Sequence, residues 1–281
     1  MTVTLLFVTI AFVGVFGALI GSFLNVVIYR VPAGRSIVSP PSACGSCGTE
    51  IKPYDNIPVV SWLALRGRCR SCRTTISVRY PLVEAATAIA FAAVAWWFWA
   101  GPQAPVGRTG GALAAGVLEV AAYVYLAAIS IVLALIDIDT HRLPDAIVLP
   151  SYLVGAVLLG TAAILAGDGN ALLSAAAGGA ALFVLYLLLA VAYPGGMGFG
   201  DVKLAGVLGL FLGYLGWGPL IVGSFGAFVL GGIFSLVLLA ARRARKGSGI
   251  PFGPWMVAGA WLGILAGPTI WNAYLALLGF A

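Results

Sequence analysis

The stretch from Ala121 to Asp145, "AAYVYLAAISIVLALIDIDTHRLPD", decides the fold. Sixteen residues pass without a charge, and then Asp137, Asp139 and Asp145 follow within nine positions, around the chain's single histidine, His141. A helix crosses the hydrocarbon of a bilayer with about 20 apolar residues, so this run, extended back to residue 112, reads as a membrane crossing that ends on an acid. The same rule marks crossings near 5–28, 81–100, 112–136, 146–166, 171–193, 203–217, 219–241 and 254–278. The sixth is the shortest. Composition agrees: 62% of the 281 residues are hydrophobic and 9% charged, with a mean hydropathy of +1.07, and a soluble domain carries about 25% charge. The expected fold is an all-α polytopic membrane protein of about eight transmembrane helices, with a small zinc-binding loop domain between the first two. The first crossing has no basic residue before it and no small-residue cleavage site, so it is expected to be retained, and no soluble tail is expected beyond the last helix.

The basic residues orient the chain. Eight of the 15 lie between Arg30 and Arg79, four lie from Arg242 to Lys246, and Arg142 and Lys203 fall on the same side if every crossing alternates. Arg108 alone falls opposite. The positive-inside rule therefore makes that side cytoplasmic and puts both termini outside. The net charge of +6 is a topology signal with membrane lipid as its partner, and it calls for no nucleic acid.

Residues 30–80 depart from the membrane composition and hold all four cysteines, as Cys44-Gly-Ser-Cys47 and Cys69-Arg-Ser-Cys72. Two C-x-x-C pairs separated by a loop suit a tetrahedral zinc site, because each pair bends into a knuckle and the loop brings the two face to face. In a reducing cytoplasm thiolates persist and bind metal in preference to forming disulfides. The domains expected are 1–29, the first helix; 30–80, the cytoplasmic cysteine loop; and 81–281, a seven-helix membrane domain.

An ionisable group at membrane depth is costly enough to be a functional hypothesis by default. Glu50, Asp55 and Asp168 read as solvated charges. Glu119 lies 18 residues before Asp137, or about 27 Å along a helix, too far to share a site with it. Glu84 follows Pro81 at the start of the second crossing, where an acid complements the helix dipole. Asp145 reads as a helix N-cap and Asp139 as a solvated loop acid. Asp137 and Asp201 differ. The first closes a buried apolar run, and the second opens a helix in "MGFGDVKL" (Met197 to Leu204), after glycines that permit close backbone approach.

With a single histidine and no G-x-S-x-G elbow, two-histidine metalloprotease and serine-hydrolase arrangements are excluded. Two carboxyls that approach closely share a proton, so one can activate water while the other protonates a scissile carbonyl. That is aspartyl protease chemistry, which uses no cofactor. From helix ends alone, Asp201 is expected to be the anionic member and Asp137 the protonated one, each bias amounting to about 0.3–1 kcal/mol.

"GSFLNVVIYRVP" (Gly21 to Pro32), the double C-x-x-C loop, "YDNIPVVSWL", "ISVRYPLVE", "IDIDTHRLPD", "GFGDVKLAGVLGLFLG" and "PFGPW" (Pro251 to Trp255) together resemble bacterial type IV prepilin peptidases, the G-x-G-D membrane aspartyl proteases. The resemblance implies Asp137 and Asp201 as the catalytic pair, Gly198 and Gly200 as a hinge, and Lys203 as either a lipid-facing anchor or a tuner of the site. It further implies cleavage of basic leaders from type IV prepilins or type II secretion pseudopilins at the cytoplasmic face of a bacterial inner membrane. It also implies methylation of the new amino terminus by S-adenosylmethionine, with Glu84 and the cysteine loop as support. One position departs: Ala88 stands where methylating relatives usually carry Gly. A non-catalytic membrane scaffold with a zinc loop and a proton-coupled transporter are the alternatives from other classes, and cleavage of a prepilin separates all three.

Overall fold

The computed structural model describes residues 3–101, 110–193, 195–241 and 250–280. The basic run from Arg242 to Lys246 and Arg108 lie outside the described residues. The elements are α1 (Val3–Arg30), a 3-10 turn (Pro53–Asp55), α2 (Val60–Ala64), α3 (Arg79–Ala100), α4 (Gly111–Thr140), α5 (Asp145–Ala166), α6 (Gly169–Ala192), α7 (Phe199–Tyr214), α8 (Trp217–Ala240) and α9 (Gly253–Leu277). Seven of these are long and apolar enough to cross a membrane, so the chain is a multi-pass membrane protein. It divides into two compact units, residues 1–106 with 123–132 and residues 107–122 with 133–281.

In the first unit α1 packs along α3. The contact is close because glycines face it: a Cβ on Gly17 would lie 2.8 Å from Phe91 Cβ, and one on Gly21 would lie 2.7 Å from Glu84 Cα. Lipid tails are as apolar as leucine, so helices in a bilayer associate through such close packing. The buried stripe of α3 runs through Val83, Thr87, Phe91, Val94 and Phe98 at helical spacing, and Phe98 meets Tyr123 of α4 with ring centroids 4.7 Å apart.

In the second unit α7 is packed by α5, α6, α8 and α9. It is the helix expected at 203–217, shifted three to four residues toward the N-terminus. It begins at Phe199, ends at Tyr214 and has only 16 residues, fewer than the roughly 20 of a full crossing. Its apolar surface meets other helices: ten of its residues, Val202 to Gly213 among them, are buried. At 1.5 Å per residue α7 still covers about 24 Å, from Gly200 beside Leu143 at the Asp137 end of α4 to Tyr214 at Glu119, so it stands as the short sixth of the eight expected crossings.

Its approach to α6 is backbone to backbone, since a Cβ on Gly178 would stand 2.6 Å from Gly209 O. Gly178→Leu is expected to destabilise the unit by at least about 2 kcal/mol through overpacking, read as a lowered midpoint of thermal unfolding in detergent. At the far end of α7, the Tyr214 hydroxyl donates to Glu119 Oε1 at 2.7 Å, so Glu119 is a structural acid remote from Asp137, as helix rise requires.

Candidate active site and metal centre

Asp137 occupies the last turn of α4. The helix stops because His141 turns left-handed (φ 52°, ψ 39°) with its N–H donating to Asp137 O at 2.9 Å, and Pro144 follows as the cap of α5. The Asp137 side chain is buried, and its Oδ2 accepts the Gly253 N–H at 2.9 Å. Gly253 is the first residue of α9, so the carboxyl takes up one of the N–H groups that a helix start leaves unpaired. A Cβ at 253 would lie 2.8 Å from that same oxygen, so any larger residue there displaces the carboxyl.

Asp201 is the third residue of α7. Its Oδ2 accepts the Gly198 N–H at 3.0 Å while its own N–H donates to Gly198 O at 3.0 Å, a reciprocal closure of the helix start. Gly198 is extended (φ −79°, ψ 150°), a conformation open to any residue. The need for glycine here is one of room: a Cβ on Gly200 would press to 3.0 Å from Leu143 Cβ.

Leu143 lies against neighbours of both acids. Its side chain lies against Gly200, next to Asp201, and its Cδ2 is 3.4 Å from the place of a Cβ on Gly253, the donor to Asp137. The carboxyls are within electrostatic reach of each other. Two carboxyls placed close together do not both ionise cheaply. Each acid also sits at a helix start, Asp201 in that of α7 and Asp137 against that of α9. The start of α9 thus adds to Asp137 a positive helix end that opposes the negative end of α4.

The other residues take different places. Lys203 turns to Asp145, with Nζ 2.7 and 2.8 Å from its two oxygens, and lies 5.0 Å above the Phe199 ring. Asp145 is thus the partner of Lys203 and the first residue of α5, whose N-cap is Pro144. The Tyr152 hydroxyl donates to Lys203 O at 2.6 Å, a second tie between α5 and α7. Asp139 and His141 are exposed. Asp168 caps α6 by accepting from Ala171 N–H at 2.9 Å. The sequence reading missed Gly253, Leu143 and the ring cluster beside them; "PFGPW" and "LPD" were visible as motifs, but nothing in them points to the partner.

In the other unit the four cysteine sulfurs lie within 4.8 Å of one another. The two pairs are built alike. Antiparallel bridges join Ala43 to Glu50 and Arg68 to Thr75, Cys44 N–H donates to Thr49 O and Cys69 N–H to Thr74 O, both at 2.9 Å, and Gly48 and Arg73 hold the same left-handed corner (φ 70° and 59°). This is a short internal repeat, C-x-S-C-x-T, which the sequence reading did not register. The Thr49 side chain and main chain lower the Cys47 thiol to about 6, and the main-chain N–H groups of Cys72 and Ser71 lower that of Cys69. Four converging sulfurs fit a tetrahedral metal ion.

Two acids brace this loop. Asp55, expected to be solvated, is forked by Arg70, whose Nε and Nη2 reach its oxygens at 2.6 to 3.0 Å. Glu84 lies beyond the first turn of α3, buried, and accepts the Val59 N–H at 2.7 Å; Val59 holds φ 61°, which a β-branched residue adopts only under constraint. Hydrogen bonds and charge from Arg70 hold the Asp55 carboxyl below 3.8. A lowered folded value contributes stability above the unfolded one, about 3.9, and the contribution is lost as pH falls through the folded value. Asp55→Asn is expected to speed amide exchange across residues 53–72 at pH 6, and the difference from wild type is expected to vanish in strong acid.

Two family models match this chain: the Bacterial Peptidase A24 N-terminal domain over residues 15–98 and the Type IV leader peptidase family over residues 124–236. It is also similar to the Prepilin leader peptidase/N-methyltransferase of Pseudomonas aeruginosa, at 36% identity over 94% of this chain and 92% of the relative. The chain belongs to the type IV leader peptidase family. Relatives of the same printed name from Neisseria gonorrhoeae (34% identical, covering 92% of this chain and 91% of the relative) and Pseudomonas putida (36%, covering 98% and 96%) place the match along nearly the whole length. No solved structure matches. In this leader peptidase both acids singled out from sequence fall in the described residues, on α4 and α7, within the stretch that the second family model spans.

Proposed function

We propose that this chain is a membrane-embedded aspartyl endopeptidase that removes the basic leader of type IV prepilins or type II secretion pseudopilins and then N-methylates the new amino terminus. The observation that supports the reading is that Gly200, next to Asp201, and Gly253, the donor to Asp137, both lie against Leu143 in a leader peptidase. The ionised carboxyl takes a proton from water as its oxygen adds to the scissile carbonyl carbon, and the protonated carboxyl gives its proton to the carbonyl oxygen. Collapse of the resulting diol then breaks the C–N bond. The amine leaves with the proton that the first carboxyl had taken, and the second carboxyl regains its own from the diol.

Lys203, held by Asp145, steadies the start of α7 from the side. Arg142, Lys203 and the eight basic residues from Arg30 to Arg79 support a cytoplasmic position for this end of the helices, in a bacterial inner membrane. There the apolar stem of a pilin stays in lipid while its charged leader reaches water. Residues 30–80 act as a methyltransferase-associated domain, held by zinc through Cys44, Cys47, Cys69 and Cys72, and residues 81–281 as the protease domain. S-adenosylmethionine supplies the methyl group, and Glu84, engaged with Val59, supports the loop. The two-activity name of the relatives supports methylation in a chain that carries Ala88.

The test is incubation of the detergent-solubilised protein with a purified prepilin, read by mass. The proposal expects loss of the leader followed by gain of one methyl group. A prepilin that keeps its length under conditions where a related enzyme shortens it removes the reading in favour of a scaffold or a transporter.

A further inference from the structure

The turn from Pro251 to Trp255 has no part in the chemistry just described, yet it touches one of the two acids. Its Gly253 N–H donates to Asp137 Oδ2 at 2.9 Å with both groups buried. Asp137 stands on the last turn of α4, where the chain is about to leave the helix, and this bond from α9 is what ties its carboxyl to another element.

Gly253 is itself held through its neighbour. The Phe252 ring packs on Phe228 of α8 at 5.4 Å and on Tyr186 of α6 at 6.3 Å, and Tyr186 and Phe228 meet at 5.4 Å. Gly231 of α8 makes the room: a Cβ there would stand 3.1 Å from the Phe252 ring and 3.3 Å from that of Trp255. Trp255 continues the contact one turn on, 4.6 Å from Phe234. Tyr186, buried, also lies within electrostatic reach of Asp201. Two helices, α6 and α8, thus converge on one ring at the start of a third, and the next residue after that ring holds the Asp137 carboxyl.

We infer that Phe252 and Gly253 are positioning residues of the Asp137–Asp201 pair: the Tyr186–Phe228–Phe252 cluster fixes the start of α9, and Gly253 N–H fixes the orientation of Asp137. The inference rests on the reading of Asp137 and Asp201 as the proteolytic pair. Removing the ring leaves both acids in place but frees the donor, so turnover falls while substrate affinity does not. Misplacing a reacting group by about 1 Å costs about 100-fold, and loss of one of several supports costs less.

The experiment compares full-length Phe252→Ala, Phe252→Tyr and Gly253→Ala with Asp137→Asn and Asp201→Asn, using a prepilin for cleavage and a pre-cleaved pilin for methylation. Phe252→Ala is expected to lower kcat about 10- to 100-fold with KM within about twofold, and Gly253→Ala to lose about 100-fold or more. Phe252→Tyr, which keeps the ring, is expected to retain most of the activity, and all three are expected to methylate the pre-cleaved pilin at the wild-type rate. The inference is overturned if Phe252→Ala and Gly253→Ala cleave at near the wild-type rate while the two Asn variants are inactive. It is overturned equally if Phe252→Ala raises KM at constant kcat, or loses methylation along with cleavage. Asn variants that still cleave would instead sink the pair itself.

Discussion

Replacing either Asp137 or Asp201 with Asn is expected to reduce prepilin cleavage by about a thousandfold or more, while the protein still inserts and accumulates. The size follows from the chemistry. A single carboxyl can either take a proton from water or give one to the carbonyl, and the pair must do both in one step. Asn at 137 keeps an oxygen to accept the Gly253 N–H, and Asn at 201 keeps one for the Gly198 N–H, so the local hydrogen bonds survive. Loss of cleavage can then be assigned to the missing proton shuttle. Asp139→Ala is the control on the same loop: exposed, it is expected to cleave within a few-fold of wild type. The measurement is initial cleavage rate per folded enzyme, and near-normal processing by either Asn variant would remove that residue from the pair.

Cys69→Ser is expected to abolish metal retention and to cost methylation far more than cleavage. Cys69 is the buried member of the four sulfurs, and the loop around it has little else to fold on: two knuckles, a 3-10 turn and the five-residue α2. In so small a domain metal binding supplies folding free energy outright. Purified wild-type protein should hold about one equivalent of zinc, as four thiolate ligands in tetrahedral array require, and the Cys69→Ser variant far less, with its loop opened to protease. The dyad belongs to the other compact unit, so cleavage should persist. Wild-type protein carrying well under one equivalent, with four freely titratable thiols, would show that the cluster is not a metal centre.

Much of this was legible from residue order. Length of apolar run decides what a bilayer accepts, and the seven long helices follow their runs closely because nothing in lipid competes with intrahelical hydrogen bonding. The C-x-x-C spacing likewise carried the cysteine cluster, since a knuckle is a local structure. Where sequence misjudged, the cause was a partner far along the chain. Hydropathy cannot tell an apolar surface facing lipid from one facing protein, so the burial of α7 among its neighbours left no mark in its composition. Asp55 looked solvated because Arg70 is 15 residues away, and Asp145 looked like a cap because Lys203 is 58 residues away.

The sequence by itself determined that the chain lives in a membrane, that its cysteines form one cluster, and that Asp137 and Asp201 are the acids to consider, because each of these depends on burial cost and local spacing. The tertiary structure decided how the acids are held: Leu143 against Gly200 and Gly253, Gly198 N–H on one acid, Gly253 N–H on the other, and the rings of α6 and α8 packed on Phe252 before Gly253. A hydrogen bond spanning 116 residues leaves no periodic trace in a sequence, since both of its partners look locally like ordinary helix ends, and only the packing of α9 against its neighbours brings them together.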